Sequence, residues 1–201
     1  MKLASHNSMS FAKPRHWWMW PFRFMARCQD KNLQEQYKAG VRYFDFRIAF
    51  NDIGDPMFAH GSMSFKYDVW KALDELEDLG PCWVRLINER DKDHERFSIF
   101  CIKASVHYRN LAFISGRNKK DWKVLYEFTI PEPKLIDKYA SNNVQGVSKW
   151  KGILRIKNWS GKLLDDLWPR YYAKKYNVEH RNKYLNSDEA DFLMQDFTGT
   201  Y

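Results

Sequence analysis

Residues 40–48 read Gly-Val-Arg-Tyr-Phe-Asp-Phe-Arg-Ile and give the strongest indication of the fold. β-Branched and aromatic residues fill most of Val41–Ile48, which predicts a strand. The segment before it predicts a short helix, with Asp30 as its cap, Leu33 and Tyr37 on its apolar face, and a glycine at its end. A helix that leads directly into a strand is typical of a parallel β/α unit.

The same alternation extends along the rest of the chain. An amphipathic helix is predicted from about Tyr67 to Leu79, where Gly80-Pro81 ends it, and Cys82–Ile87 predicts a buried strand. Strand, helix and strand in this order favour an α/β fold with a parallel sheet. Further strands are predicted at Lys2–Ser5, Leu111–Ser115, Val124–Phe128, Ile153–Lys157 and Ala190–Phe197, and further helices at Phe97–Tyr108 and Leu163–Tyr171.

Length, charge and composition restrict the function classes. The 201 residues predict one domain that spans residues 1–201. A net charge of +8 and an aromatic content of 17% favour anionic partners, namely phosphate groups, nucleic acid or an acidic membrane surface. The three cysteines are too few for a disulfide framework. No cluster of Cys and His lies close together in the sequence, so we expect neither a metal site nor a cofactor.

No membrane span or leader is predicted. The sequence lacks an apolar run of about 18 residues, the length that a membrane-spanning helix requires. Residues 1–6 lack the apolar stretch of a secretory signal. We therefore expect a cytoplasmic protein, or a secreted one whose leader has been removed.

Polar side chains follow several of the predicted strands. Because the carboxyl ends of parallel strands meet at one edge of a sheet, we expect these side chains to collect there. Asp45 lies two residues before the arginine of the second strand, so both side chains would lie on the same face. The residues at or near strand ends are His6, Arg47, Glu89, Lys157 and Asp196.

Two histidines and one arginine suggest a specific chemistry. His6 and His60 can serve as general base and general acid at neutral pH, and Arg47 can hold two oxygens of a phosphate. Together they suit cleavage of a phosphodiester by an internal hydroxyl, without a metal. Asp45 could polarise His60 or anchor the guanidinium. The plainer alternatives are a structural histidine in an extended run and an ordinary Asp-x-Arg salt bridge on a strand.

Three motifs resemble a known family when they are taken together. They are Ala-Ser-His-Asn-Ser at residues 4–8, Gly40–Arg47 preceded by Gln36, and Ala-His-Gly at residues 59–61. In order and spacing they resemble the X region of phosphatidylinositol-specific phospholipase C. The similarity is specific over roughly residues 2–90, and Phe192–Phe197 is similar to the final barrel strand of that family.

The resemblance implies a single-domain TIM-type (β/α) barrel, shortened or distorted, with its active site in the mouth. His6 would be the base that activates the inositol 2-hydroxyl, and His60 the acid that protonates the diacylglycerol oxygen. Arg47 would bind the phosphate and Asp45 would support the acid. Asp196 would orient the base. The product would be a cyclic inositol phosphate.

The resemblance also bears on metal dependence. Calcium-dependent eukaryotic members carry an Asn after the first His and an acidic pair on the second strand. In this chain Asn7 follows His6. Arg47 replaces the second acid of that pair, and a fixed guanidinium would repel a divalent cation. We therefore expect a metal-independent site, like that of the bacterial members, in which Asn7 bonds the phosphate or Arg47.

The substrate is less sharply indicated. Glu89 matches the glutamate of the third strand, but Ile87 stands where bacterial members carry an inositol-binding lysine. Lys157 is the candidate that would bind the headgroup in its place. We expect a phospholipid substrate, with phosphatidylinositol first and another phospholipid or a sphingolipid as the alternative. The chain is also shorter than a usual TIM barrel of about 250 residues, so one or two β/α units would be trimmed.

An aromatic segment follows the first strand. Trp17, Trp18, Trp20 and Phe22 lie among arginines, a composition that suits peripheral contact with an anionic membrane. The resemblance implies a hydrophobic ridge in this region, and the alternative is that the rings pack on the barrel rim. Another class of function also stays open, a non-catalytic, Trp-rich scaffold for membranes or nucleic acid, although no obligate nucleic acid is expected. A relative that kept the site but lost its substrate is a further alternative.

Overall fold

The computed structural model describes residues 2–116, 123–124, 135–137, 168–184 and 191–201. Within these residues, strands and helices alternate over most of the chain. The strands are β1 (Lys2–Ser5), β2 (Val41–Phe50), β3 (Pro56–His60), β4 (Met63–Ser64), β5 (Cys82–Asn88), β6 (Leu111–Gly116), β7 (Lys123–Val124), β8 (Leu135–Asp137) and β9 (Phe192–Gln195). The helices are a 3-10 helix (Trp17–Phe22), α1 (Arg23–Ala26), α2 (Leu33–Lys38), α3 (Val69–Leu79), α4 (His94–His107) and α5 (Pro169–Tyr184).

The centre of the sheet is parallel. Its order is β7-β6-β5-β2-β1-β9-β8, and β1 pairs in parallel with both β2 and β9. Strands β2, β5 and β6 are parallel neighbours, whereas β3 and β7 join their partners antiparallel. In the described part of the chain β7 and β8 lie at the two ends of the order, so the sheet is open there. The expected α/β class with a parallel sheet is confirmed, and a closed barrel is not seen in these residues.

Most of the predicted strands are present. The predicted strands over Lys2–Ser5, Val41–Ile48, Cys82–Ile87 and Leu111–Ser115 are confirmed, with ends that differ by two residues at most. The last predicted strand is shorter than expected and forms β9 only. The predicted strand that begins at residue 124 overlaps β7 at one residue, and residues 125–134 lie outside the described residues, as do residues 153–157 of another predicted strand.

Helices α2, α3 and α4 follow the predicted patterns, with one correction to a cap, whereas α5 overlaps its predicted helix only over residues 169–171. Helix α2 is capped by Asn32 rather than Asp30, because the Asn32 side chain accepts a bond from the N–H of Glu35 while Glu35 bonds back to the N–H of Asn32. Helix α3 begins after Asp68, whose side chain accepts from the N–H of Lys71. Helix α5 begins at Pro169, and residues 163–167 of the predicted last helix lie outside the described residues.

The sequence pattern did not reveal the β3–β4 hairpin. Strand β3 runs antiparallel to β2 and ends at His60, and β4 begins at Met63. The turn between them requires Gly61, whose φ of +58° lies in the left-handed region. This short hairpin is what places His60 over the sheet.

Alternation along the central strands separates an apolar face from a polar one. Phe44, Phe46 and Ile48 of β2 are fully buried in the main hydrophobic core, which lies between the sheet and helices α2, α3 and α4. Asp45 and Arg47 lie between them on the opposite face and are also buried. The interior of the fold therefore has an apolar side that stabilises it and a second side that holds buried charges.

Candidate active site

The charged face of the sheet brings four strand ends together. His6 follows β1, Asp196 follows β9, Glu89 follows β5, and Arg47 lies near the end of β2. The parallel register aligns Arg47 with Ile87, and β1 lies between β2 and β9, so the side chains meet across neighbouring strands. The expected convergence at one edge of the sheet is observed for these four residues.

His6 lies between an acid and a cation. Its Nδ1 is 2.7 Å from Oδ1 of Asp196, and its Nε2 is 2.6 Å from Nη2 of Arg47. A guanidinium can only donate, so Nε2 accepts, and the proton of the neutral ring is assigned to Nδ1, which donates to Asp196. His6 is 3% exposed and Asp196 2%. The lone pair on Nε2 is therefore directed towards Arg47, whose N–H it accepts.

The surroundings of His6 favour the neutral ring. Burial lowers the pKa of His6 well below its usual value, and the positive charge of Arg47 lowers it further. The nearby carboxylate of Asp45 opposes this effect but does not reverse it. A histidine that is neutral at physiological pH has the protonation state that a general base needs.

Arg47 is fixed by two carboxylates. Its Nε donates to Oδ2 of Asp45 at 3.0 Å, and its Nη1 donates to Oε2 of Glu89 at 3.1 Å. Burial alone would lower the pKa of Arg47, but Asp45 and Glu89 outweigh burial and raise it, so the group keeps its charge. With Nη2 on His6, the planar fork is held in one orientation.

Asp45 acts as the anchor of the cationic side chains. Its Oδ1 accepts from Nε of Arg85 at 2.8 Å, and its Oδ2 accepts from Arg47 and from the backbone N–H of Asn7 at 2.9 Å. Although burial raises its pKa, Arg85 and Arg47 outweigh burial and hold the pKa of Asp45 well below the usual range. Of the two roles considered for Asp45, these contacts correspond to the anchoring of the guanidinium.

His60 faces His6 from the hairpin. The two ring centroids are 6.5 Å apart, and the rings are perpendicular. The Nδ1 of His60 is 3.1 Å from the carbonyl oxygen of Ala26 and 3.8 Å from Sγ of Cys28. A neutral carbonyl oxygen can only accept, so Nδ1 of His60 is assigned as the donor of this bond. The backbone carbonyl of helix α1, rather than Asp45, is the hydrogen-bond partner of His60 in these contacts.

Glu89 and Asn7 border the same space. Oε1 of Glu89 accepts from the N–H of Gly61 at 2.9 Å, which ties the end of β5 to the turn beside His60. Asn7 is 1% exposed and has a φ of +43°, a conformation that Asn tolerates better than most residues. Its Nδ2 is buried and has no hydrogen-bond partner among the described residues. Lys157, the remaining candidate, lies outside the described residues.

Two site residues were missed by the sequence analysis. Arg85 is 2% exposed and lies on β5, four residues before Glu89, so the two side chains point to the same face of the sheet. A charged residue within this otherwise apolar strand could have marked Arg85 as a site residue. Cys28 is fully buried, and burial raises the pKa of its thiol well above the usual value, with the charge of Asp196 adding to this effect. No local pattern marks Cys28, because its partners are distant in sequence. His6, Cys28 and Asp196 each offer a ligand atom, all within 4.8 Å of one another.

The aromatic segment lies on the surface. Trp17 is 83% exposed, and Trp18, Trp20 and Phe22 are each about half exposed, whereas Met19 between them is buried and anchors the 3-10 helix. Trp168, which the sequence analysis did not single out, is 43% exposed and packs edge-on against Phe24 at 5.9 Å. We call these exposed rings (Trp17, Trp18, Trp20, Phe22, Phe24 and Trp168) the aromatic patch.

In the described residues, no helix combines the length and the apolarity needed to cross a bilayer.

Comparison with known proteins identifies the fold. No family model and no curated protein sequence matches the chain. Among solved structures, phosphatidylinositol-specific phospholipase C from Listeria monocytogenes superposes with a TM-score of 0.61 at 16% identity, covering 98% of this chain and 87% of that one. A structure from a study of membrane binding by the Staphylococcus aureus enzyme gives a TM-score of 0.63 at 16% identity, covering 98% and 86%. These solved structures are bacterial phosphatidylinositol-specific phospholipases C, and the chain shares their fold.

Proposed function

We propose that this protein cleaves the phosphodiester of a phospholipid headgroup, with phosphatidylinositol as the first candidate substrate. One observation carries the proposal: His6 lies between Asp196 and Arg47, and a second imidazole, His60, faces it with ring centroids 6.5 Å apart. A buried base, a fixed cation and an opposed acid are the groups that an internal attack on a phosphodiester requires. The fold shared with phosphatidylinositol-specific phospholipases C supports the choice of substrate.

Arg47 and His6 exchange partners when substrate binds. In the bare site Nη2 of Arg47 donates to Nε2 of His6. An anionic phosphate is a stronger acceptor for the guanidinium than a neutral imidazole, so the phosphate takes this N–H. Nε2 of His6 then becomes available to the inositol 2-hydroxyl. Phosphate binding and exposure of the base are coupled in this way.

The chemical step uses the two imidazoles in opposite senses. Nε2 of His6 takes the proton of the attacking hydroxyl, and Asp196 stabilises the imidazolium that forms. The hydroxyl oxygen bonds to phosphorus, the bond from phosphorus to the diacylglycerol oxygen breaks, and that oxygen takes a proton from Nε2 of His60. The products are diacylglycerol and a cyclic inositol phosphate. Each proton transfer contributes roughly 10²–10⁴-fold to the rate.

In this proposal protein side chains, rather than a metal ion, stabilise the negative charge of the phosphate. Arg47 is held in place by Asp45 and Glu89, so it is preorganised for two phosphate oxygens. The buried Nδ2 of Asn7 is a further donor for the same anion. We assign headgroup binding to Glu89 and to Lys157. Ile87 is apolar and cannot form hydrogen bonds to a headgroup with its side chain.

The barrel and the membrane contact belong to the same proposal. We propose one domain whose sheet closes into a shortened TIM-type barrel, since most of the described strand pairs are parallel and the strands at both ends of the sheet adjoin residues outside the described ranges.

We propose that the aromatic patch contacts the membrane surface. Its rings are exposed beside Arg15, Arg23 and Arg27, a combination that suits an anionic lipid interface.

Turnover assays on defined lipids test the proposal. Wild-type protein with chelator present is incubated with vesicles of phosphatidylinositol, phosphatidylcholine or sphingomyelin, and the phosphorus-containing products are identified by ³¹P NMR. We expect a cyclic inositol phosphate from phosphatidylinositol, and a loss of at least about 10²-fold for His6→Gln and for His60→Gln. His94→Gln is the matched control, because the His94 side chain is 44% exposed on α4.

The alternatives give different results. Consumption of another lipid while phosphatidylinositol stays intact would overturn the substrate. Salt-dependent binding to vesicles without turnover, unchanged in the variant that combines His6→Gln with His60→Gln, would identify a binding scaffold instead of an enzyme.

A further inference from the structure

Three buried side chains that can bind a metal ion meet at His6. The ligand atoms of His6, Cys28 and Asp196 all lie within 4.8 Å of one another, and the three residues are 3% exposed or less. They come from the end of β1, the segment after α1 and the end of β9. The proposed reaction uses His6 and Asp196 but gives no role to a thiol.

We propose that His6, Cys28 and Asp196 form an inhibitory site for a soft divalent cation of the Zn²⁺ or Cd²⁺ class. Imidazole, thiolate and carboxylate are the ligands that Zn²⁺ takes in proteins, and the thiolate favours soft over hard cations. Three protein ligands leave a fourth position in a tetrahedral site. This site is distinct from the calcium site considered above, which would need an acidic residue at the position of Arg47.

The distances around the sulfur suit such an ion. Sγ of Cys28 is 3.8 Å from Nδ1 of His60. Sulfur and nitrogen ligands of one tetrahedral zinc ion lie about 3.6 Å apart when the bonds are about 2.3 and 2.1 Å. His60 is therefore within reach as a fourth ligand, if its ring leaves the carbonyl oxygen of Ala26.

The charges near the site also permit a cation. The Asp196 carboxylate and the Cys28 thiolate would together offset a divalent charge. Arg47 and Arg85 are fixed cations beside the site, and the carboxylates of Asp45 and Glu89 together offset these two positive charges. The thiol carries its proton in the metal-free chain, since burial and Asp196 raise its pKa. Metal binding replaces that proton.

Proton balance gives the consequence for His6. A metal bound at Nδ1 displaces the proton that His6 donates to Asp196, and the neutral ring then carries this proton on Nε2. The thiol proton is released to solvent. Nε2 can no longer accept from Arg47, so the hydrogen bond of 2.6 Å between them breaks. The base of the proposed reaction is then unavailable, and this consequence alone rests on the proposed function.

Cadmium absorption tests the site without any substrate. The full-length protein is titrated with Cd²⁺, and the thiolate-to-cadmium charge-transfer band is recorded in the near ultraviolet. We expect one Cd²⁺ per chain, with the full band in the variant that combines Cys82→Ser and Cys101→Ser and no band in Cys28→Ser. Cys82 and Cys101 are matched controls because both are buried cysteines of the same chain.

A second variant separates loss of a ligand from loss of the fold. Asp196→Asn keeps the thiol and removes an anionic ligand, and we expect its affinity for Cd²⁺ to fall at least about tenfold while the band at saturation remains. Circular dichroism and thermal unfolding of each metal-free variant show that it is folded. A full band in folded Cys28→Ser, a band that depends on Cys82 or Cys101, or no band in the wild type overturns the proposal. None of these outcomes depends on turnover.

Discussion

Arg47 donates to Nε2 of His6 at 2.6 Å, and this contact fixes both the tautomer and the charge of the histidine. The ring must be neutral to accept, and its remaining proton must lie on Nδ1, towards Asp196. The same cation that would bind the phosphate thus keeps the base unprotonated before the substrate arrives.

The first prediction concerns the pH dependence of the rate. Burial and Arg47 lower the pKa of His6, so the acid limb of kcat/KM should lie below the ordinary histidine value of about 6.5. In Arg47→Met this limb should move to higher pH while the rate falls. A pH–rate profile of both proteins on phosphatidylinositol measures the shift. An acid limb above 6.5 in the wild type would contradict the assignment of His6 as the base.

The second prediction concerns the pH dependence of stability. The unfolded chain takes up a proton on His6 near pH 6.5, and the folded chain does so only at lower pH, so the free energy of unfolding falls as the pH is lowered through 6.5. Between pH 7.5 and 5.5 the loss from this one residue is at most about 1.4 kcal/mol. Urea unfolding of wild type and His6→Gln at both pH values measures it. An equal loss in both proteins would refute the prediction.

The third prediction concerns Asp45, which holds two buried guanidinium groups. In Asp45→Asn, Arg47 and Arg85 lose a shared carboxylate inside the fold, which should lower the free energy of unfolding by about 3–5 kcal/mol. Asp30→Asn is the control, because Asp30 pairs with the half-exposed Arg170 and should cost less than about 1 kcal/mol. Similar costs for the two substitutions in urea unfolding would show that the buried network does not stabilise the fold as described.

The fourth prediction concerns the aromatic patch. Replacement of Trp17 and Trp18 by Ala removes two exposed rings and should weaken binding to vesicles that contain anionic lipid by at least about tenfold, without loss of stability. Ile102→Ala with Val106→Ala is the control, since both residues are exposed apolar residues on α4. Vesicle co-sedimentation measures both variants. Equal binding by wild type and the tryptophan variant would place the contact elsewhere.

Local sequence patterns predicted the parts of the fold that local physics determines. The alternation in Val41–Phe50 and the apolar stripe of α3 depend on neighbouring residues, so both elements were predicted with nearly correct ends. The β3–β4 hairpin was missed because its strands are short and its turn depends on one glycine, Gly61. The cap of α2 was placed two residues early, because Asp30 and Asn32 are both suitable caps and only the reciprocal bond with Glu35 distinguishes them.

The site was predictable where a motif or a strand end marked it. His6, Arg47 and Asp196 were named from such positions, and the structure brings them into contact. One hydrogen-bond partner of His60 is the carbonyl of Ala26, and a backbone carbonyl carries no side-chain signature in a sequence. Cys28 was missed for a related reason: its neighbours in the site lie 32 residues away at His60 and, at Asp196, near the other end of the sequence.

The pairing of β1 with β9 has a consequence for the synthesis of the protein. His6 and its carboxylate partner Asp196 are 190 positions apart, and they meet only when the last strand has joined the first. A nascent chain on the ribosome, or a fragment released by a protease before that strand, carries the imidazole without the acid that orients it. We therefore expect polypeptides that lack this strand to have little of the proposed activity, because the base lacks its orienting carboxylate.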